Sequence, residues 1–234
     1  MDEPTAASPS VLQEHDEQGR LLMRCEVRDG TLHGLMERFD PEAGHCLLRA
    51  HFVDGQLHGL MQVWDEQGQL AQEIEYESGL QHGLMSVHAG GVCVAEQMWV
   101  RGELCGLTVS RDAAGDISSR IPYEEGHMQG VAEFFLQGQL VRTASYRRGL
   151  LHGLSQDFDA AGTVVQSASY EDNRLHGPLQ RFWPSGQLME ESDYAQGRPL
   201  QPPRRFDEDG RDITDTQSES GTVVARLHQL MRGR

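Results

Sequence analysis

Gly30-Thr31-Leu32-His33-Gly34 decides how this chain is read, because it returns as Gly55-Gln56-Leu57-His58-Gly59, Gly79-Leu80-Gln81-His82-Gly83 and Gly149-Leu150-Leu151-His152-Gly153. Looser copies run from Gly102 to Gly106, Gly126 to Gly130, Asn173 to Gly177 and Gly197 to Gln201. The closing glycines stand at 34, 59, 83, 106, 130, 153 and 177, so the period is 23 to 25 residues. A fixed period of this length marks a repeat architecture. A second glycine series, at 19, 44, 68, 91, 115, 138, 162, 186 and 210, falls about midway between the copies. Each unit therefore holds two turns and two short strands, and no helix of ten residues fits between them.

The spacing predicts an all-β fold: an elongated, single-layer antiparallel sheet of about eight hairpins over residues 19–210. At ~4.8 Å per strand the array extends about 75 Å. Before each motif comes an aromatic or apolar position, filled by Val27, Phe52, Tyr76, Trp99, Tyr123, Tyr146, Tyr170 and Tyr194. If each hairpin pivots on the middle of its motif, this series shares one face with Leu35, Leu60, Leu84, Leu107, Val131 and Leu154. The same pivot adds Phe39, Trp64, Phe135, Phe158 and Phe182 to that face. Met36, Val53, Met61, Val63, Met85, Val87, Met98 and Val100 then lie on the opposite, solvent-facing side. Contiguous apolar surface marks an interaction site, and methionine adapts to varied partners. The predicted contact residues are Met36, Met61, Val63, Met85, Val87 and Met98, with Glu73, Glu75 and Glu96 steering the partner.

Residues 1–18 are acidic, lack Arg and contain Pro4 and Pro9, and they read as loosely ordered. Residues 211–234 read as a polar connector followed by a short amphipathic helix near 222–232, on the spacing of Val223, Val224, Leu227, Leu230 and Met231. Three roles are open to such a helix, capping the last repeat, lying across the sheet or reaching a partner, and capping is the commonest need of repeat arrays.

Net charge is −16, and all twenty Lys-plus-Arg positions are Arg. That charge opposes nucleic acid and anionic lipid and favours a basic partner. No cationic segment followed by an apolar run opens the sequence and no stretch of about 18 apolar residues occurs, so the expected location is cytoplasmic. The four cysteines never approach a CxxC spacing and read as reduced, small apolar residues. The recurrent histidines are displaced by two strands, roughly 9.6 Å, against ligand distances of ~2.1 Å around zinc. They read as turn residues bonding the neighbouring turn rather than as metal ligands. No HExxH, GxSxG or P-loop pattern occurs, and the expectation is a non-enzymatic protein without cofactors.

The motif copies, each with an aromatic three places ahead, resemble MORN repeats (membrane occupation and recognition nexus) over about residues 19–201. Leu-Met or a similar pair follows His-Gly where a further glycine is usual. In this the chain resembles the bacterial variant group, many members of which are described as antitoxin or immunity proteins. The resemblance implies a single-layer sheet of hairpins and a cognate protein toxin as partner. The rival expectation is a structural scaffold or membrane-associated adaptor.

Overall fold

The computed structural model describes residues 10–214. The elements among them are all strands, paired antiparallel, and they fall into two compact units divided between His127 and Met128. The segment foreseen near 222–232 lies outside the described residues. The first unit begins earlier than composition suggested: Ser10–His15 is a strand paired with Leu21–Arg28, and Asp16–Gly19 is the turn between them. Polar composition lowered the expectation there, whereas pairing to an existing sheet needs backbone groups more than apolar side chains.

Each motif begins with a two-residue hairpin turn. Arg28 pairs with Thr31, leaving Asp29 (φ 52°) and Gly30 (φ 76°) as the two central residues, the positive-φ pair of a type I′ turn. Immediately beyond, Val27 pairs with Leu32 but Cys25 with Met36, so the strand after the turn carries two extra residues around His33-Gly34. The bulge recurs in the other fully paired motifs, as between Ile74 and Tyr76 opposite Gln81 and Met85. It explains the second glycine: Gly83 has φ 109°, and a Cβ there would overlap the Glu75 carboxylate.

Successive motif turns are bonded to one another. In the first unit the N–H groups of Gly55, Gly79, Gly102 and Gly126 donate to the carbonyls of Leu32, Leu57, Gln81 and Leu104 at 2.8 to 2.9 Å. The N–H of Asp54 reaches His33 Nδ1 at 3.4 Å, that of Ser78 reaches His58 Nδ1 at 3.5 Å, and that of Arg101 reaches His82 Nδ1 at 3.4 Å. The motif histidine is thus a turn-stacking residue, as its period implied.

The opposite turns absorb all variation in repeat length. The 25-residue repeat closes through a Gly44 N–H to Asp40 carbonyl bond, and 24-residue repeats close one residue tighter, as from Gly68 to Asp65 and Gly115 to Asp112. The two 23-residue repeats use two-residue turns, Gly90-Gly91 between the paired Ala89 and Val92, and Gln137-Gly138 between Leu136 and Gln139.

The two faces follow from the register, and here the expected pivot is corrected. The turn centres between the first glycine and the residue before it, not on the middle of the motif, which changes the parity of the pairing, and the two-residue bulge preserves that change. The leucines after each motif therefore lie opposite the aromatic series, because a one-residue slip exchanges the faces. Leu60 pairs with Glu75, Leu84 with Met98 and Leu107 with Pro122. Alternation keeps Phe39, Trp64, Phe135, Phe158 and Phe182 on this leucine face, where Arg49 lies 5.7 Å from the Trp64 ring centroid. Its leucine row is open to solvent, with Leu60 40 %, Leu84 43 %, Met98 42 % and Leu107 50 % exposed. The aromatic face is half-buried and holds the buried Cys25, Val27, Ala50 and Ile74 of the first unit and Ala132, Ala144 and Ala168 of the second.

Candidate protein-binding face

Three rows of side chains cross the aromatic face of the first unit. Nearest the motif turns, Val27 pairs with Leu32, Phe52 with Leu57, Tyr76 with Gln81 and Trp99 with Leu104. In the middle row Met36 stands between Cys25 and Ala50, Met61 opposite Ile74, and Met85 between Ile74 and Gln97. The third row pairs Leu48 with Val63, Val63 with Gln72, Gln72 with Val87 and Val87 with Ala95. Between the strands Leu21–Arg28 and Ile117–Glu124 the only charged side chain in these rows is Arg38, which pairs with Met23 and Leu48.

The predicted contact residues divide between the faces. Met36, Met61, Val63, Met85 and Val87 come together, in company with the aromatic series and not opposite it. Met98, Glu73, Glu75 and Glu96 belong to the leucine face, where Glu73 lies opposite Gln62 and Ser86, and Glu96 opposite Ser86 and Val109. Two of those acids are engaged locally: Gln62 Nε2 donates to Glu73 Oε1 at 2.8 Å and Arg111 donates to Glu96 Oε2 at 3.0 Å. Also on that face, Glu37 is buried between Arg24 and Arg49, each of which donates to its carboxylate. Burial pushes the Glu37 carboxyl upward, but the two guanidiniums outweigh it and hold the group below its ordinary value. The aromatic residues share this face with the five apolar contact residues and are not among the predicted contacts. Asp29-Gly30, Asp54-Gly55 and Ser78-Gly79, with turn-forming dipeptides at the start of the motif, were the signal that fixes the face.

In the second unit the third row is ionic. Arg142 donates to Asp157 through two bonds of 2.5 and 3.0 Å, Gln166 donates to Asp157 at 3.4 Å and Arg181 to Gln166 at 3.4 Å. Glu190 then receives Arg181 at 3.6 Å and Arg205 at 3.0 Å. The middle row there is small, with Ala144 facing Ser155 and Ser155 facing Ala168. Beside it a cleft of about 500 Å³ is lined by Phe134, Tyr146, Leu151 and Tyr170. Charge divides just as unevenly. Residues 1–127 carry 8 Arg against 22 Asp and Glu, a net of −14, and residues 128–234 carry 12 against 14, a net of −2.

Among the described residues no three His, Cys, Asp or Glu side chains gather to hold a metal ion, and no helix is long and apolar enough to cross a membrane. No curated protein matches the chain. Among solved structures, S. aureus TarM and a point mutant of it, the latter in complex with Fondaparinux, alpha-GlcNAc-glycerol and UDP, are similar at 13 % identity and a TM-score of 0.31. The match covers 41 % of this chain and 19 % of each of those, too slight to carry an argument. The family model of the MORN repeat variant matches residues 57–78 and 175–196. Each match runs from the Leu-His-Gly of one motif, through the variable turn, to the residue before the next glycine. MORN repeats generally bind proteins or membranes, and two hairpins of this chain, one in each unit, carry that repeat.

Proposed function

We propose that the protein is a non-enzymatic binding module that neutralises a cognate bacterial toxin in the cytosol by direct contact through the aromatic face of its first unit. The observation that carries this reading is the apolar, methionine-bearing surface of Met36, Met61, Met85, Val63 and Val87, over which the described residues place no second layer, in the unit that holds −14 of the net −16. Adaptable apolar contacts supply affinity, and the acidic field speeds encounter with a basic partner. Glu73, Glu75 and Glu96 act in this scheme through the field and not through contact, since they project from the other face.

The test is affinity capture from the native cytosol at moderate salt, with growth rescue from the captured partner. One stoichiometric partner that arrests growth when expressed alone, and is silenced by this protein, is the expected outcome. Retention on anionic vesicles together with many substoichiometric partners would overturn it in favour of a scaffold or membrane adaptor. Met61→Asp with Met85→Asp should abolish capture, and unchanged capture would remove the aromatic face from consideration.

A further inference from the structure

We infer that the partner enters this face as a basic amphipathic helix lying across the strands, an inference that rests on the reading of the aromatic face as the binding surface. A sheet face offers side chains and no free backbone groups, because each interior strand is bonded to a neighbour on both sides. The guest must then satisfy its own backbone, which a helix does and an added strand does not. The periods also agree. Equivalent side chains recur every second strand, roughly 9.6 Å apart, and a helix at ~1.5 Å per residue returns the same face after seven residues, roughly 10.5 Å. A guest with apolar residues at i, i+7 and i+14 thus meets Met36, Met61 and Met85 in turn, and those at the intervening i+3 or i+4 positions fall over the strands between. From Leu21–Arg28 to Ile117–Glu124 the face crosses nine strands, about 38 Å, room for a helix of about six turns.

Charge fixes the rest of the guest. Both rims of the sheet are acidic, with Asp29, Asp54 and Glu125 exposed in the motif turns and Glu17, Glu42 and Glu66 exposed along the variable turns. Strands of eight or nine residues set these rims roughly 27 Å apart, and a helix about 10 Å wide with long cationic side chains on both flanks spans most of that. A second copy of this chain is disfavoured as the guest, because two acidic rims would face two others.

The experiment uses the full chain and a synthetic peptide of about three heptads with Leu at the a and d positions and Arg on both flanks. One control scrambles that sequence and another replaces Arg by Glu. Binding is followed by calorimetry at physiological salt. The designed peptide should bind at least about thirtyfold more tightly than either control, roughly 2 kcal/mol, and Met61→Gln with Met85→Gln should remove most of the difference. Gln is already accommodated in this row at position 97, so these variants keep the sheet if the aspartates do not. Equal binding of the scrambled peptide, or no binding by any peptide, overturns the helix. If the cellular partner is still lost on substitution at Met61 and Met85, the helix fails while the protein-binding reading stands. If capture is indifferent to those substitutions, the reading itself fails.

Discussion

The same row of the same repeat is apolar in the first unit and ionic in the second. Leu48, Val63, Gln72 and Val87 hold the places that Arg142, Asp157, Gln166 and Arg181 fill in the second unit. The ionic row is complete in itself, since every carboxylate in it meets a guanidinium or an amide. Among the described residues the apolar row has nothing comparable to complete it, and burying it against a partner yields roughly 25 cal/mol per Å². A repeat scaffold can therefore carry a finished surface and an unfinished one on identical backbone, and the difference lies in a few side chains per strand.

The comparison breaks most sharply at the methionines. Met61→Asp with Met85→Asp should weaken capture of the partner by about a hundredfold or more, roughly 3 kcal/mol, whereas Ser155→Asp, in the corresponding row of the second unit, should leave it unchanged. Pull-down titration of the three proteins decides this. A smaller separation is expected at the bulge glycines. Gly83→Ala drives a Cβ into the Glu75 carboxylate at a positive φ and should cost about 3 kcal/mol in urea unfolding. Gly153→Ala meets Ser145 Cβ at 3.2 Å with φ 100° and should cost about 2 kcal/mol.

Acid sharpens the contrast on the leucine face. Because Glu37 is held below its ordinary value, its stabilisation is present above the unfolded-state carboxyl range and is lost as pH falls through the folded value. Glu37→Gln should cost about 2 kcal/mol at neutral pH and flatten that acid limb, and Gln156 or Gln180, in the same row of the second unit, offers no such titration. Urea midpoints across a pH series check both statements. The smallest effect concerns the ionic row. Asp157→Val alone strands Arg142 and should cost about 1 kcal/mol, since Arg142 is half exposed. Arg142→Leu with Asp157→Val should return stability to within about 0.5 kcal/mol of the parent, while making the second unit's face resemble the first.

The hairpin architecture was legible because glycine at positive φ is costly to replace, so both turn columns are written into the sequence. The stacking role of His33, His58 and His82 was legible for the same reason, as a slot repeated at a spacing no metal can bridge. The faces were not, because period two makes every assignment hostage to a single residue. Taking the motif's centre as the pivot moved Met36, Met61, Val63, Met85 and Val87 away from Phe52, Tyr76 and Trp99, whose company they keep. Asp29-Gly30 and its counterparts mark the true pivot, but the two extra residues at His33-Gly34 have no local signature beyond the second glycine. Glu73, Glu75 and Glu96 looked like neighbours of the methionines along the chain and are their neighbours through the thickness of the sheet.

The variable turns carry an evolutionary consequence. Repeats of 23, 24 and 25 residues differ only in the loop that closes through Gly90-Gly91, Gly68 or Gly44, so a residue gained or lost there leaves every strand in phase. The opposite rim has no such freedom, since its turns are bonded to one another and a single insertion would turn a hairpin inside out. Lineages of this scaffold should therefore drift in length along one margin alone, and that margin is where foreign peptides can be grafted without reversing the faces.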